Sequence, residues 1–346
     1  MRIRFLAIGV VLACGGPSRE FSPVYVPAPE SRVATAPDAG AAEVTAPSPP
    51  ATGPADGHVH YLWQGHWYVF DVAARKTVDL STTLDKLGQG KEAFVTPSPD
   101  GRSFVAISTR AVGKRCSLGD CMIVSDGTKN AEQLAVDGRP LHAEAAARPV
   151  IASGGNLVVY PAQYDRGIHL FATTRRARGW SAPQRITAGS KFKFHSDASI
   201  AADGKTIVFD CGNQPYSGAP SSLCQVGTAG ENFQIVIESS GQERAHHPSY
   251  DPADGSIVFE GEWPGEAVYR IAKGRTGKAS AVKLSRVEND NSPCVLPGGW
   301  IASLWLDRPG KTASDHELKL MRRDGSDGAV VIEGKDLTDV GIVCSR

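Results

Sequence analysis

The chain has 346 residues, which is too long for one small domain and long enough for a large closed all-β domain. Its 37 basic side chains balance 37 acidic ones, so the composition excludes the basic surface of a nucleic-acid-binding protein, and we expect no nucleic-acid partner. The 37 glycines and 23 prolines favour many turns and few helices.

The N-terminus has the features of a targeting signal. A short basic start precedes the apolar run 5–13, which is too short to cross a bilayer. The run ends in Val11-Leu12-Ala13-Cys14, which resembles the lipobox of bacterial lipoproteins. The resemblance implies that residues 1–14 hold a signal peptide ending at a lipid-modified Cys14, which anchors the chain. The glycine that follows, Gly15, implies that the lipid anchor lies in the outer membrane. The alternative to lipid modification is an ordinary cleaved signal in which the cysteine occurs by chance.

Residues 15–56 differ from the rest of the chain. Prolines recur there between alanine, serine, threonine and glycine, and no apolar periodicity is present. Such a segment buries too little apolar surface to offset the entropy of ordering. We expect a disordered linker that lifts the remaining residues, 57–346, away from a membrane.

A repeat begins after the linker. Each copy has an extended segment, a tight turn and a β-rich strand, and a second hairpin follows it. The turns are Asp-Gly or Gly-Gly dipeptides, which supply the positive φ of a two-residue hairpin. Five copies lie about 50 residues apart, with turns at 100–101, 154–155, 203–204, 254–255 and 298–299. Four short strands per repeat are the content of one propeller blade.

Three stretches, Pro97-Ser-Pro-Asp-Gly101, Tyr250-Asp-Pro-Ala-Asp-Gly255 and Gly179-Trp-Ser-Ala-Pro183, carry a resemblance to the TolB-type propeller repeat. It implies an all-β, six-bladed β-propeller over residues 57–346. The first blade has three strand segments between 61 and 80 but lacks an inner strand, which the C-terminal segment 340–344 can supply. Pairing the chain ends in one blade removes an exposed edge. A seven-bladed ring is the alternative.

Six cysteines remain beside Cys14, an even number that suggests disulfides in an exported protein. None forms a CxxC pair, which argues against a zinc site built from cysteines. The blade assignment suggests that two pairs bridge neighbouring strands within a blade and that a third locks the closure of the ring. The pairs are Cys116–Cys121, Cys211–Cys224 and Cys294–Cys344; the alternative is buried free thiols.

A candidate ligand site follows from counting back nine residues from each turn glycine. That position should precede each inner strand and face one mouth of the central channel. It holds Glu92, Ala146, His195, His246 and Asp290, and the closing strand adds Asp339. Histidine and carboxylate groups suit a divalent metal or a cationic partner group, with His195 and His246 as candidate metal ligands. The alternative is that these residues only solvate the strand entrances.

The catalytic motifs GxSxG, HExxH, the P-loop and GxGxxG are missing, so we expect no enzyme activity. The TolB resemblance implies a monomeric, periplasmic-type scaffold of the cell envelope that binds proteins or peptides at the ring face, and fold alone does not decide this. One alternative is a metal-dependent carbohydrate lyase or hydrolase with its site in the channel, by a more distant resemblance to propeller lyases that hold a metal with channel histidines. Another is a structural or sensory lipoprotein without a single ligand.

Overall fold

The predicted turns organise the fold. In the computed structural model, the turn glycines Gly101, Gly155, Gly204, Gly255 and Gly299 all have φ between 68° and 78°. A side chain would be strained there, so these positions suit glycine. Each turn joins the first two strands of an antiparallel meander, with pairing such as Ile200↔Ile207 and Tyr250↔Ile257.

The structure describes residues 55–87, 90–110, 112, 121–126, 131–143, 147–215, 218–263, 265–286, 289–305, 317–326, 328–332, 337 and 341–346. The predicted signal peptide with Cys14, and the linker up to residue 54, lie outside this range. So do Cys116, Ala146 and Asp339.

Twenty-four of the described strands form six antiparallel meanders of four. The first has β1 (His58–Trp63), β2 (His66–Asp71) and β3 (Lys76–Asp79), completed by a C-terminal strand given below. The second has β4 (Glu92–Pro97), β5 (Phe104–Ser108), β6 (Cys121–Ser125) and β7 (Ala131–Gln133). A small hairpin follows, β8 (Ala135–Val136) and β9 (Arg139–Pro140). The third has β10 (Val150–Ile151), β11 (Leu157–Tyr164), β12 (Gly167–Thr174) and β13 (Gln184–Arg185).

The remaining meanders follow the same order. The fourth has β14 (Phe194–Ile200), β15 (Thr206–Gly212), β16 (Ser221–Gly227) and β17 (Gln234–Ile237). The fifth has β18 (Arg244–Tyr250), β19 (Ile257–Glu262), β20 (Glu266–Ile271) and β21 (Ala281–Lys283). The sixth has β22 (Asp290–Val295), β23 (Trp300–Trp305), β24 (Glu317–Arg322) and β25 (Ala329–Ile332), and the last strand is β26 (Val343–Ser345).

Helical structure is sparse in the described residues. The helix α1 (Leu80–Leu84) begins at Asp79, whose side chain accepts a hydrogen bond from the Thr82 backbone N–H at 3.0 Å, as N-caps do. Two 3₁₀ turns cover Asp85–Leu87 and Lys278–Ser280. No helix in the described ranges is long and apolar enough to cross a membrane.

The first and the last of the described strands pair in the first meander, as the sequence predicts. The strand β26 pairs antiparallel with β1 through His58↔Ser345, Val59↔Cys344 and His60↔Val343. The disulfide Cys294–Cys344 links β26 to β22 of the sixth meander, with 5.4 Å between the Cα atoms. The N-terminal edge strand is therefore covered rather than left open to other chains.

Two of the predicted disulfides are present. Besides Cys294–Cys344, the pair Cys211–Cys224 joins the facing strands β15 and β16, with 5.9 Å between the Cα atoms. The third predicted pair includes Cys116, which lies outside the described residues.

The hydrophobic core lies between successive meanders. For example, Val208 and Leu223 of the fourth meander pack in one cluster with Ala245, Phe259 and other side chains of the fifth. Full burial of a side chain of this kind contributes about 1.5–3 kcal/mol. The meanders are therefore stacked face to face rather than held by backbone pairing alone.

The innermost strands line one cavity of about 90 Å³. The first strands of the second to sixth meanders contribute to it, and β26 contributes for the first. Four-stranded meanders arranged around a shared cavity are the architecture of a β-propeller. The number of blades in the complete ring, six or seven, stays a prediction.

Candidate functional site

Four polar side chains contact one another in sequence next to the cavity, and one of them, Arg148, is among the residues that line it. Each lies three residues before the end of the innermost strand of its meander. Arg148 Nε is 3.8 Å from Asp197 Oδ1, and Asp197 Oδ2 is 3.7 Å from His247 Nε2. His247 Nδ1 is 3.3 Å from Ser292 Oγ. We call these four residues, Arg148, Asp197, His247 and Ser292, the inner-strand belt.

Three belt residues share an uncommon backbone. Asp197, His247 and Ser292 have φ of 42°, 49° and 45°, in the left-handed region that most side chains avoid. Each coincides with a register shift between the first and second strand of its meander. A β-bulge re-aims the side chain that it carries. The same bulge in three consecutive meanders therefore turns three polar side chains towards one another.

Glu260 connects the belt to a second group of charges. This residue is 3% exposed and lies on β19. Its Oε2 is 2.9 Å from His247 Nδ1 and accepts a hydrogen bond of 2.9 Å from the Ser292 backbone N–H. Its Oε1 is 2.9 Å from His246 Nε2. One buried carboxylate thus joins two adjacent histidines and the sixth meander.

The second group continues from the same ring nitrogen of His246. His246 Nε2 is also 3.1 Å from Glu262 Oε1, which pairs with Arg244 Nη1 at 2.7 Å. Glu266, on the next strand, and Asp210 on β15 add two more carboxyl groups close enough to feel these charges. We call Asp210, Glu260, Glu262 and Glu266 the carboxylate cluster.

His246 and Glu260 form a charged pair, and further carboxyl groups surround it. Burial lowers the pKa of His246, but the charge of Glu260 and hydrogen bonds to Glu260 and Glu262 outweigh it and raise the value to about 10. Burial raises the pKa of Glu260, yet the two histidines hold it well below its ordinary range. His246 is therefore an imidazolium beside a carboxylate.

The two outer acids of the carboxylate cluster behave in the opposite way. Burial and the charge of Asp197 raise the pKa of Asp210 well above its ordinary value. Burial and the charge of Glu260 raise the pKa of Glu266 to about 7. Each acid resists ionisation first because it is buried and second because another carboxylate lies nearby, and an added cation would offset both effects.

Counting back nine residues from the turn glycine selects equivalent strand positions in three repeats, but the position that it assigns to His246 is not equivalent to them. Glu92, His195 and Asp290 each lie five residues before the end of their innermost strand. In the fifth meander the equivalent position is Ala245. The difference arises because Gly255 lies five residues after the strand end Tyr250. The turn glycines that follow β4, β14 and β22 lie only four residues after the ends of those strands.

The predicted residues make separate contacts. Glu92 forms a buried ion pair with Arg110. His195 is 1% exposed and lies 2.8 Å from both the Ile168 carbonyl oxygen and Ser190 Oγ, so both ring nitrogens have partners. Asp290 Oδ2 accepts a hydrogen bond of 2.8 Å from Lys319 Nζ. Of the described residues predicted for the site, the structure places His246 in the polar group built around Glu260.

The belt and Glu260 are missed by sequence reasoning. The signal for the belt is a charged or polar residue before proline or alanine, three positions from the strand end, as in Arg148-Pro149, Asp197-Ala198, His247-Pro248 and Ser292-Pro293. The signal for the acids is a carboxylate after an apolar triplet, in Ile207-Val-Phe-Asp210 and Ile257-Val-Phe-Glu260. Aligning the repeats on their strand ends would have found both.

Comparisons with known proteins show the fold. No protein-family model and no curated protein sequence matches the chain. The structure of a putative TolB from Agrobacterium tumefaciens is 14% identical with a TM-score of 0.55, over 85% of this chain and 98% of that one. Hydrazine synthase of Kuenenia stuttgartiensis is 11% identical with a TM-score of 0.52, over 83% of this chain and 45% of that one. A puromycin-hydrolysing peptidase of Mycobacterium tuberculosis is 12% identical with a TM-score of 0.51, over 80% and 43%.

The present chain therefore has a TolB-like, all-β propeller fold. It spans less than half the length of the synthase and peptidase chains. Proteins with different activities share this fold, so function has to be argued from the cavity and the polar groups next to it.

Proposed function

We propose that this protein is a lipid-anchored, non-catalytic binding propeller of the cell envelope, which binds a segment of a partner protein over the mouth of the cavity between its innermost strands. The observation that carries the proposal is the cavity itself. Strands from all six described meanders line it, and Arg148 connects its lining to the rest of the inner-strand belt.

The cavity wall suits an apolar segment. Six prolines line it: Pro97, Pro99, Pro248, Pro252, Pro293 and Pro297. Proline has no backbone N–H and its φ is fixed, so the wall is rigid and offers few donors. A rigid apolar wall loses little conformational entropy when a partner binds. Aliphatic side chains, among them Ile151, Ile200 and Val295, fill the space between the prolines.

The belt would select a basic group at the tip of the segment. The Asp197 side chain is 22% exposed, compared with 8% for Arg148. Arg148 lines the cavity and already donates to the Ile342 carbonyl oxygen, whereas the more exposed Asp197 carboxylate lies beside Arg148 and can accept a further basic group. A lysine or arginine side chain would form a charge-assisted hydrogen bond with Asp197. We infer a partner segment with apolar residues around one basic side chain.

Site-specific photocrosslinking in living cells tests partner binding. A benzophenone amino acid at Ala202, an exposed residue of the cavity lining, should give a discrete protein adduct. The same amino acid at Val282, which is 56% exposed on β21, is the control and should give none. An Asp197→Asn change keeps the side-chain shape and the tolerance of positive φ, and it should reduce the adduct at least tenfold.

The comparison distinguishes specific binding at the cavity from non-specific crosslinking. Equal adducts from Ala202 and Val282, or an adduct that Asp197→Asn leaves unchanged, would reject a cavity site. The Asp203→Asn variant, in the neighbouring turn, is the matched control for loss of one acidic charge and should keep the adduct.

The anchor is tested separately, because the residues that support it precede the propeller. The lipobox-like segment ending at Cys14 and the proline-rich linker support attachment through lipid rather than through a membrane-spanning segment. Growth with an alkyne-tagged fatty acid should label the wild-type protein and leave Cys14→Ser unlabelled. A labelled Cys14→Ser protein would place the lipid elsewhere.

A channel-site enzyme is the second candidate, and one observation favours it. His246, His247 and Glu260 bring ligating atoms together in a buried place. Metal-dependent lyases and hydrolases need such a set with an open coordination position. Turnover of oligosaccharide or peptide substrates that depends on added metal and is lost in Glu260→Gln would replace the binding proposal.

A further inference from the structure

Two adjacent histidines and a buried glutamate converge where the belt meets the carboxylate cluster. A ligating atom from each of His246, His247 and Glu260 lies within 4.8 Å of the others. Three nitrogen and oxygen ligands around a fourth, open position are the arrangement by which zinc is held in sites that keep a water or substrate. Imidazole nitrogen favours zinc and its neighbours in the periodic table over magnesium or calcium.

The surroundings supply the supporting contacts that a metal site needs. His247 has one ring nitrogen towards Glu260 and the other 3.7 Å from Asp197 Oδ2. A carboxylate behind a histidine fixes which nitrogen faces the metal and makes that nitrogen more basic. Arg244 pairs with Glu262, whose Oε1 is 3.1 Å from His246 Nε2, so a second carboxylate lies beside this histidine.

Buried acceptors beside the set lack partners. Among the described side chains, Asp210 Oδ1 and Asn291 Oδ1 are buried without a hydrogen bond, and their residues are 3% and 4% exposed. Asp210 interacts electrostatically with His246, and Asn291 follows directly after Asp290 at the start of β22, beside Ser292 of the belt. Unpartnered buried acceptors cost free energy, and a cation with its bound water would satisfy them.

An entry path exists through the belt. The side chains of Asp197 and His247 are 22% and 16% exposed, and Glu260 lies directly behind them. Asp197 and His247 are therefore the more exposed side of the set, from which an ion can reach Glu260. Equivalent bulges at Asp197 and His247 fix both side chains, so the approach is built into the backbone.

We propose that His246, His247 and Glu260 bind one divalent transition metal ion, of the zinc class, with Asp197 as a positioning residue for His247. Binding releases to solvent the proton that His246 Nε2 holds against Glu260 in the metal-free protein. The fourth coordination position takes water or a group of a bound ligand. An ion at this position needs no partner segment above it, so metal titration and crosslinking can fail independently.

Zinc titration of the chelator-dialysed full-length protein tests the site. We expect one Zn²⁺ per chain, with affinity lowered at least tenfold by His247→Asn and between tenfold and a hundredfold by Asp197→Asn. The control is His66→Asn, which removes an exposed histidine 3.5 Å from Asp79 and should leave the affinity unchanged. Mg²⁺ in excess should not displace Zn²⁺.

A spectroscopic readout separates ligation from folding. Co²⁺ in place of Zn²⁺ should give visible absorption bands whose intensity reports a four-coordinate site, and Glu260→Gln should change them while circular dichroism stays that of the wild type. Zinc stoichiometry and cobalt bands unaltered in both His247→Asn and Glu260→Gln would overturn the proposal. So would a loss of zinc in His66→Asn equal to that in His247→Asn.

Discussion

Breaking the Cys294–Cys344 disulfide should lower the free energy of unfolding by about 4 kcal/mol. The bond closes a loop of 50 residues, and a crosslink of that length removes about 14 cal/mol/K of entropy from the unfolded chain. The bond also connects the C-terminal strand to the sixth meander, so the same change releases the strand that covers β1.

Single and double variants distinguish the crosslink from packing. If the crosslink dominates, Cys294→Ala, Cys344→Ala and the double variant should each lose about the same 4 kcal/mol, because any of them breaks the one bond. If buried sulfur atoms dominate, the two single losses should add up in the double variant. Guanidinium-induced unfolding followed by tryptophan fluorescence, without reductant, measures all three.

The second disulfide is the matched control. Cys211–Cys224 closes a loop of 13 residues, for which the same relation gives about 3 kcal/mol. Its single and double variants should show the same non-additivity with a smaller loss. Additive losses at either pair, or a loss below about 2 kcal/mol at Cys294–Cys344, would refute the loop-entropy reasoning.

Three further outcomes are expected. Arg110→Met leaves the buried Glu92 carboxylate without its ion-pair partner and should lower the free energy of unfolding by about 3–5 kcal/mol in chemical denaturation. The double variant with Glu92→Gln should recover much of that loss. Equal losses in the single and the double variant would contradict the pairing of the two side chains. Burial lowers the pKa of His195 to about 3, so the unfolded chain binds the proton first and stability falls as the pH drops below 6.5. Between pH 7 and pH 5 the wild type should therefore lose about 2 kcal/mol more than His195→Gln, and parallel pH profiles would count against this account. In cell fractionation, Cys14→Ser should move from the membrane to the soluble fraction, and unchanged membrane association would point to another anchor.

The sequence was sufficient for the architecture because the signals involved are local. An Asp-Gly turn such as Asp203-Gly204 needs only its own two residues to favour a hairpin, and five such turns at regular spacing imply stacked four-stranded units. The closing strand could be predicted as well, since the first meander had three strands and an apolar segment remained at the C-terminus. The pairing of Cys344 with Cys294 then followed from the position of each strand.

The site could be predicted only in part, because its residues are selected by register. A count from the turn glycine places His246 in the same position as His195, but one extra residue before Gly255 moves His246 one place along its strand. In a strand, a shift of one residue turns a side chain to the opposite face. The count therefore reached His246 for an incorrect reason and gave His195, whose ring nitrogens contact the Ile168 carbonyl oxygen of the third meander and Ser190 instead of the carboxylate cluster.

The tertiary structure alone decided what meets His246. Glu260 follows an apolar triplet in the second strand, and its neighbours in the chain do not indicate that it faces two histidines and the backbone of the sixth meander. The belt depends on bulges at Asp197, His247 and Ser292, and positive φ at such residues is maintained by packing between meanders rather than by local preference. Local sequence thus determined the strands and turns of this protein, and packing between distant repeats determined which charged groups share one buried place.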